Sequence, residues 1–442
     1  MKKTLALAAV LCCSLPASAI TYTKTVLSNG LTVLAYQDDS NPLVAVNIWY
    51  KVGSKNEQAG RTGFAHLFEH YMFECTQHTR QGEYFDTVFK RLGGAANAFT
   101  SYDKTNYYSV VPPGGLDEML RLESDRLGFL QACLDQKSLD KQRGIVQNEK
   151  RQRSGAPYAE GSNELLAQTF PAPHPYNWPI IGSMLDLEAA TLKDVAKFHD
   201  TYYLPNNAVL VIAGSVDPAK ALERARFWFE GLPAGNTPPA LGASEVSDLG
   251  GRRERTVTDK LAPMPMLVMG FPIPGRGKPG SDEAAALASI LSSGRGARLV
   301  KALKEGPRPL VVEIEGDVYG LYETDVLVIQ AVPAPGVGMA EIEAAIHAEI
   351  AKLAASGPKP EELARIKARM KTSFYDALQN VEGVARNLAE GEAVLGDPDA
   401  FIGGEAKRLE AIDPAAVQNA AKRLTKDNAS VVKIVPAEGR PQ

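Results

Sequence analysis

The chain is poor in cysteine, in histidine and in net charge. Only four of its 442 residues are cysteine and six are histidine, and 48 lysines and arginines nearly balance 52 acids, leaving a net charge of −4. Four cysteines over such a length make no disulfide framework of the kind that staples small secreted domains. The missing basic excess excludes the electrostatic footprint of a nucleic-acid-binding protein. Aromatics are sparse at 7%, yet 45% of residues are apolar and no long block of one charge occurs, which excludes a disordered or low-complexity chain. Beyond the N-terminus no apolar run reaches the roughly 20 residues of a membrane span; Pro263 to Pro274 is short and broken by prolines. There is no Gly-x-Ser-x-Gly elbow, and Gly294-Arg295-Gly296 lacks the lysine and hydroxyl of a phosphate loop. What remains is a soluble protein of more than one domain, since domains usually run to about 100–200 residues.

The first nineteen residues have the make-up of an export signal. Lys2 and Lys3 precede an apolar stretch, Thr4 to Leu15, and Ala17-Ser18-Ala19 offers a small-residue cleavage site. Cleavage after Ala19 predicts a periplasmic or secreted protein of net charge −6, because two lysines leave with the leader. Cys12 and Cys13 lack the small residue that a lipoprotein site needs before them. Cys75 and Cys133 stay in the mature chain, where an oxidising compartment permits a bridge. Their spacing does not say whether they meet.

Strand-like runs at Thr32 to Tyr36 and Val44 to Val52 are rich in β-branched and aromatic residues. Helical periodicity follows at Gly63 to Phe73, Leu116 to Leu130 and Leu139 to Arg153. A strand at Val209 to Ala213 leads into a helix at Pro218 to Phe229. Gly231 to Gly251 is then rich in Gly, Pro, Ala and Ser, as linkers are. The expected division is a leader 1–19, an N-terminal domain 20–233, a linker 234–252 and a C-terminal domain 253–442. The order returns after the linker: strand Met266 to Phe271, helix Asp282 to Leu291, strand Glu323 to Val332, then long helices. Leu187-Glu188-Ala189 and Val195 reappear as Leu409-Glu410-Ala411 and Val417, and Asn207-Ala208 as Asn428-Ala429. These matches predict a duplicated unit, and strands mixed with helices in each half predict two α+β layers.

The sharpest feature is His66-Leu67-Phe68-Glu69-His70. On a helix, positions i, i+3 and i+4 share one face, so both imidazoles and the carboxylate project together. Two histidines one turn apart suit Zn²⁺, and the carboxylate between them can take a proton from water activated by the metal. With six histidines in 442 residues the pattern is roughly a one-in-a-hundred accident. A catalytic zinc needs a third protein ligand. Glu74, Glu118, Glu123, Asp125 and Glu149 all qualify by residue type, and Cys75 with His78 has a ligand-like spacing. His174, His199 and His347 stand isolated and read as structural or surface residues.

The motif is the inverted zinc sequence of the inverzincins, and its surroundings resemble the M16 (pitrilysin, processing-peptidase) family. Gly63-Phe64-Ala65 precedes it and Tyr71-Met72-Phe73 follows. Further matches are Asn97-Ala98-Phe99-Thr100-Ser101, Asp103-x-Thr105-x-Tyr107-Tyr108, Arg143-x-x-Val146-x-Asn148-Glu149, His174-Pro175-Tyr176, Gly182 and Tyr202-Tyr203-x-Pro205-Asn206-Asn207. The resemblance is strong to about Gly214, weaker beyond, and fits the short, two-half bacterial members. It implies an α+β fold of two homologous halves, each a mainly antiparallel sheet packed with helices, the LuxS/MPP-like metallohydrolase fold. It implies Zn²⁺ held by His66, His70 and Glu149, with Glu69 as the general base. It also implies that Asn97, Ala98 and Phe99 lie on an edge strand that grips a peptide backbone by strand addition.

Two positions depart from the family pattern. Gln142 stands where many relatives have a glutamate, so it can supply no charge there. In the second half Lys304 and Val311 stand where an arginine and a tyrosine clamp the substrate; lysine lacks the planar fork and valine has no hydroxyl. Tyr319 and Tyr322 lie near enough in sequence to act as displaced partners. The chain is therefore expected to be a zinc-bearing subunit whose partner, a zinc-less relative, supplies the pair; a homodimer is the other arrangement. A non-catalytic peptide-binding or scaffold subunit is the rival expectation, favoured by the missing pair and opposed by the intact His66, Glu69, His70 and Glu149. Hydrolysis of another bond is weaker still, because the expected edge strand suits peptide backbone.

Overall fold

A computed structural model describes residues 21–242 and 244–437; the expected leader, with Cys12 and Cys13, lies outside the described residues. Strands β1 (Tyr22–Val26), β2 (Thr32–Gln37), β3 (Val44–Tyr50), β4 (Ala95–Thr100), β5 (Thr105–Val111) and β6 (Ala208–Gly214) form one sheet in the order β1-β2-β6-β3-β5-β4. Strands β7 (Arg253–Asp259), β8 (Met266–Pro274), β9 (Val311–Val318), β10 (Thr324–Pro333) and β11 (Ser430–Pro436) form the other, in the order β7-β11-β8-β10-β9. Pairing is antiparallel except between β2 and β6 and between β7 and β11. The two orders correspond strand for strand, apart from one outer strand added to the first sheet. The expected α+β duplication is therefore present. The repeated segments are equivalent too: helices Leu192–Tyr202 and Pro414–Arg423 begin on Thr191 and Asp413, whose side chains accept from Asp194 N and Ala416 N.

Strands β3 (VAVNIWY) and β6 (AVLVIAG) are apolar almost throughout and buried at every position. Such runs need cover on both faces. One face of the first sheet turns Val46, Ile48 and Leu210 into the core of its own half. The other turns Ala45, Trp49, Val209 and Val211 toward Val384, Ala385 and Leu388 of helix Val381–Leu395, which belongs to the second half. The second sheet is covered in return by helix Ala159–Thr169 of the first half, where Leu165 and Leu166 pack with Val268, Val432 and Ile434. Each half thus seals the other's sheet. Burying an aliphatic side chain of this size contributes about 1.5–3 kcal/mol, so neither sheet is expected to keep its strand pattern with the other half removed.

A polar seam runs through the same junction. Lys104, in the β4–β5 turn, donates to the Tyr322 hydroxyl at 2.9 Å, and that hydroxyl donates to Glu390 at 2.9 Å. Arg276 lies 2.8 Å from Glu390. Burial pushes the Glu390 carboxyl up, but Arg276 and Lys104 outweigh it and hold it below its usual value. The seam fixes the end of the edge strand β4 against the second half.

Cys75 and Cys133 are bridged. Cys75 follows the motif helix, Phe64–Tyr71, and Cys133 precedes helix Gln136–Ser154, which carries Glu149. The disulfide closes a loop with a sequence separation of 58, long enough for loop closure to restrict the unfolded chain strongly. Replacing both cysteines by serine is expected to lower the unfolding free energy by about 2–4 kcal/mol, read as a fall in the urea midpoint with unchanged slope.

Candidate metal centre

The motif helix starts at Gly63, whose φ of 90° lies in the left-handed region. Its neighbour in space is Gly182; a Cβ built on Gly182 would sit 2.4 Å from Gly63 Cα, so the two backbones meet only as glycines. The first turn is capped from outside the helix. The buried Glu57 carboxylate accepts from Gly63 N at 2.9 Å and Ala65 N at 2.8 Å, satisfying donors that no helical carbonyl can reach. Burial pushes the Glu57 carboxyl up to about 8, against the pull of those N–H groups.

His66, Glu69 and His70 project from one face, as the spacing predicts. The two imidazole rings are 4.8 Å apart between centroids and nearly perpendicular. Glu149 approaches from its own helix: its Oε2 lies 3.6 Å from His66 Nε2 and 3.4 Å from His70 Nε2. One donor atom from each of the three residues falls within 4.8 Å of the others. Ligand bonds of about 2.0–2.2 Å in a tetrahedron place donors about 3.3 Å apart, so the two separations from Glu149 suit a zinc-sized cation. The donor set, two imidazoles and a carboxylate, suits the same ion. Glu149 is oriented by Arg153 one turn later, which pairs with its other oxygen, Oε1. His66 Nδ1 is buried without a hydrogen-bond partner among the described residues, so nothing competes to turn its ring.

Two helices must keep their register for this cluster to exist. Besides the disulfide, Tyr71 shares a hydrogen bond of 2.5 Å with Ser138, and buried Glu74 accepts from Lys141 at 2.6 Å and from Gln142. The side chain at the glutamate-to-glutamine departure is thus an interhelical donor, and Glu74 is the carboxylate it faces. Arg143 fixes the far side of the Glu149 helix by donating to the Leu187 and Ala190 carbonyls at 2.9 and 2.6 Å.

Glu69 stands next to the cluster. Its Oε2 accepts from the Thr100 hydroxyl at 2.6 Å, and Thr100 ends β4, the outermost strand of the sheet. Asn97 is exposed, Ala98 and Phe99 are partly buried, and β4 hydrogen-bonds to β5 on one side only. Burial raises the Glu69 carboxyl; the Thr100 hydroxyl opposes the rise and nearby Glu149 adds to it.

The other sequence candidates are engaged elsewhere. Glu118 pairs with Arg121, and Glu123 with the fully buried Arg126. Asp125 accepts from the Thr76 and Thr79 hydroxyls. Cys75 is consumed by the disulfide, while His78 packs on the Phe129 ring. His174 bonds the Ser244 carbonyl, and His347 lies against Phe271. In the second half Lys304 is exposed and Val311 is buried in the core, so neither approaches the clamp chemistry. Tyr322 is committed to the seam. Sequence reasoning missed Glu57, Thr100 and Arg153; of these only Arg153, i+4 from Glu149, had a spacing signal.

Burial disfavours the charged form of both histidines, pushing His66 down to about 4, with His70 beside it adding to the effect; His70 is lowered mainly by burial. Both are therefore neutral at pH 7, the state a metal requires. An unfolded histidine takes up its proton near 6.5, whereas His66 resists until about 4. Between those values the unfolded chain binds more protons, so the stability of metal-free protein falls as pH falls through that window. Chelator-treated protein is expected to lose Tm from pH 6.5 to 4, and His66→Gln to flatten that loss in thermal unfolding scans.

Comparison with known proteins bears on both halves. The profile of the family described as Insulinase (Peptidase family M16) matches residues 32–180, and that of the Peptidase M16 inactive domain matches residues 189–370. The zinc protease PqqE of Helicobacter pylori is 30% identical over 88% of this chain and 89% of its own length. An uncharacterized zinc protease of Bacillus subtilis, YmxG, is 24% identical over 93% and 98%. Among solved structures, a protease from Helicobacter pylori superimposes with a TM-score of 0.87 at 27% identity, covering 94% of this chain and 100% of that one. The first half of the periplasmic protease PqqL from Escherichia coli shares the fold, with a TM-score of 0.75 at 20% identity over 94% and 92%. By identity over most of its length and by the matches to both halves, the chain belongs to the M16 peptidase family.

Proposed function

We propose that the protein is an exported zinc-dependent endopeptidase that hydrolyses peptides or unfolded segments inside a closed chamber. In this reading His66, His70 and Glu149 hold the zinc, Glu69 is the general base, and Asn97, Ala98 and Phe99 grip the substrate backbone. The observation that carries it is the convergence of three donor atoms within 4.8 Å beside a partly buried carboxylate, Glu69, and a free sheet edge. Bound zinc supplies Lewis acidity, lowering the pKa of water and polarising a carbonyl. Glu69 takes the proton of the attacking water and returns it to the leaving amine; its raised pKa brings it closer to the value such a shuttle needs at neutral pH. The Thr100 hydroxyl holds that carboxylate at the end of β4. A peptide added to β4 therefore has its backbone within reach of Glu69, and strand addition reads main chain more than side chains.

Export is supported by the composition of residues 1–19 and by the Cys75–Cys133 bridge, which belongs to an oxidising compartment. Among the described residues no helix is long and apolar enough to cross a membrane. The working division is a zinc-bearing domain 20–233, a linker 234–252 and a homologous domain 253–442. Exposed Lys304 and core-buried Val311 leave the chain without the arginine and tyrosine of the clamp, which supports a dimer with a zinc-less M16 relative that brings them; a homodimer is the other arrangement. The same two residues favour the second reading, a non-catalytic peptide-binding or scaffold subunit.

Metal analysis and a mixed peptide library, with the chain alone and with a zinc-less relative, separate these readings. About one zinc per chain is expected, as for a three-ligand catalytic site. Hydrolysis is expected only in the mixture; Glu69→Gln is expected to keep the metal and lose about 10²–10⁴-fold in turnover, and His66→Ala to lose both. Zinc without turnover under any pairing would establish the scaffold reading. Full turnover by the chain alone would remove the partner requirement.

A further inference from the structure

Beside the metal cluster lies a cleft of about 360 Å³ shared by both halves. Its floor is the last turn of the Glu149 helix, with Lys150 and Arg153. One wall is the turn that follows β4, at Ser101 and Tyr102, and the opposite wall is Tyr319 and Gly320 of the second half. Four charged side chains line it, and three are cationic: Lys104, Lys150 and Arg153 against Glu160. Lys104 is spent on Tyr322 and Glu390 in the seam, and Glu160 accepts from Ser154 at 3.2 Å and Asn163 at 3.4 Å. Lys150 is partly buried with no carboxylate in salt-bridge range among the described residues. Arg153 is 61% exposed and paired only with Glu149, whose negative charge is shared with the histidine cluster. Among the described residues Lys150 is therefore the one cation of the lining without a carboxylate partner, and Glu160, held by neutral donors, is the one acid without a cationic partner.

The position matters as much as the sign. Strand β4 runs from Ala95 to Thr100, past Glu69, and the chain then enters the cleft wall at Ser101. A peptide lying along β4 with its scissile carbonyl at the metal has one arm directed into this space. We propose, building on the peptidase reading above, that the cleft takes a carboxylate of the peptide, an acidic side chain or the free C-terminus, on one side of the bond that is cut. Lys150 and Arg153 are then specificity-determining residues: Lys150 supplies an unpaired ammonium, and Arg153 offers the guanidinium nitrogens that Glu149 does not use. The Ser162 hydroxyl, the Tyr319 phenol and the Asn163 amide, one N–H of which goes to Glu160, also line the cleft and can complete the hydrogen bonds of a carboxylate. A charge-assisted hydrogen bond in a partly enclosed site contributes more than one at an open surface.

The test uses zinc-loaded Glu69→Gln protein, which removes turnover, and fluorescence anisotropy with one peptide sequence in which Glu, Gln or Lys is walked through each position. Every peptide is made as the free acid and as the amide. Binding is expected to be about tenfold tighter for Glu than for Gln at one position, or for the acid than for the amide; the two arms tell a side chain from a terminus. The preference is expected to shrink in about 0.5 M salt and to reverse toward Lys in Lys150→Glu, with zinc content measured in each variant. Lys150→Gln, a milder change, is expected to abolish the preference without reversing it. Equal binding of all peptides by zinc-loaded protein, or an unchanged preference in both Lys150 variants, would overturn the inference and leave the peptidase reading standing. Protein that neither takes up zinc nor binds any peptide would overturn that reading, and the cleft assignment with it.

Discussion

Everything at the candidate site depends on the reciprocal burial of the two sheets. Strands such as β3 and β6 are too apolar to leave either face in water, and each half is short of one covering helix. Helix Val381–Leu395 and helix Ala159–Thr169 make up the deficit crosswise. Because those helices are exchanged, the halves cannot drift apart without exposing both sheets. The Tyr319–Leu321 segment is consequently held across from the Glu149 helix, and the cleft beside the metal cluster has a wall from each half. Duplication alone would give two similar domains; exchange of cover makes them one body.

Within that frame the three-donor cluster is a problem of register between two helices. His66 and His70 are fixed to each other by helical geometry and need no help. Glu149 is not, and a shift of one turn, 5.4 Å along its helix, would remove it from the histidines. The disulfide, the Tyr71–Ser138 hydrogen bond and the buried Glu74–Gln142 contact all tie the stretch just after the motif helix to the first turns of the Glu149 helix. The carboxylate is thus set at a distance from its anchor. Polar groups this buried are costly unless paired, and the same desolvation that would destabilise charged histidines keeps them neutral and ready to bind a cation.

Several elements escaped the residue pattern for physical reasons. The outer strands β1, β7 and β9 carry charged side chains because one face or one edge meets solvent, so their β-rich character is diluted. Strand β4, AANAFT, has little β propensity and becomes a strand because β5 offers it a partner. By contrast β3, β6, β8 and β10 were legible as apolar runs, and the helices Phe64–Tyr71, Gln136–Ser154 and Pro218–Phe229 as periodic ones. Glu57 has no local signature at all: it caps a helix that begins seven residues later in the chain, and only the turn between brings it there.

Local order along the chain therefore determined what is periodic. The sequence by itself determined the motif helix, the shared face of His66, Glu69 and His70, the duplication, and the scarcity of cysteine that excluded a disulfide framework. Only the tertiary structure decided which of five carboxylates meets the histidines, that Cys75 and Cys133 join, and that Lys150 and Arg153 line one cleft with residues of the second half. The division has one cause. A helix repeats every 3.6 residues whatever surrounds it, whereas contacts across 50 or more residues depend on which surfaces are buried together, and that is decided by the whole chain at once.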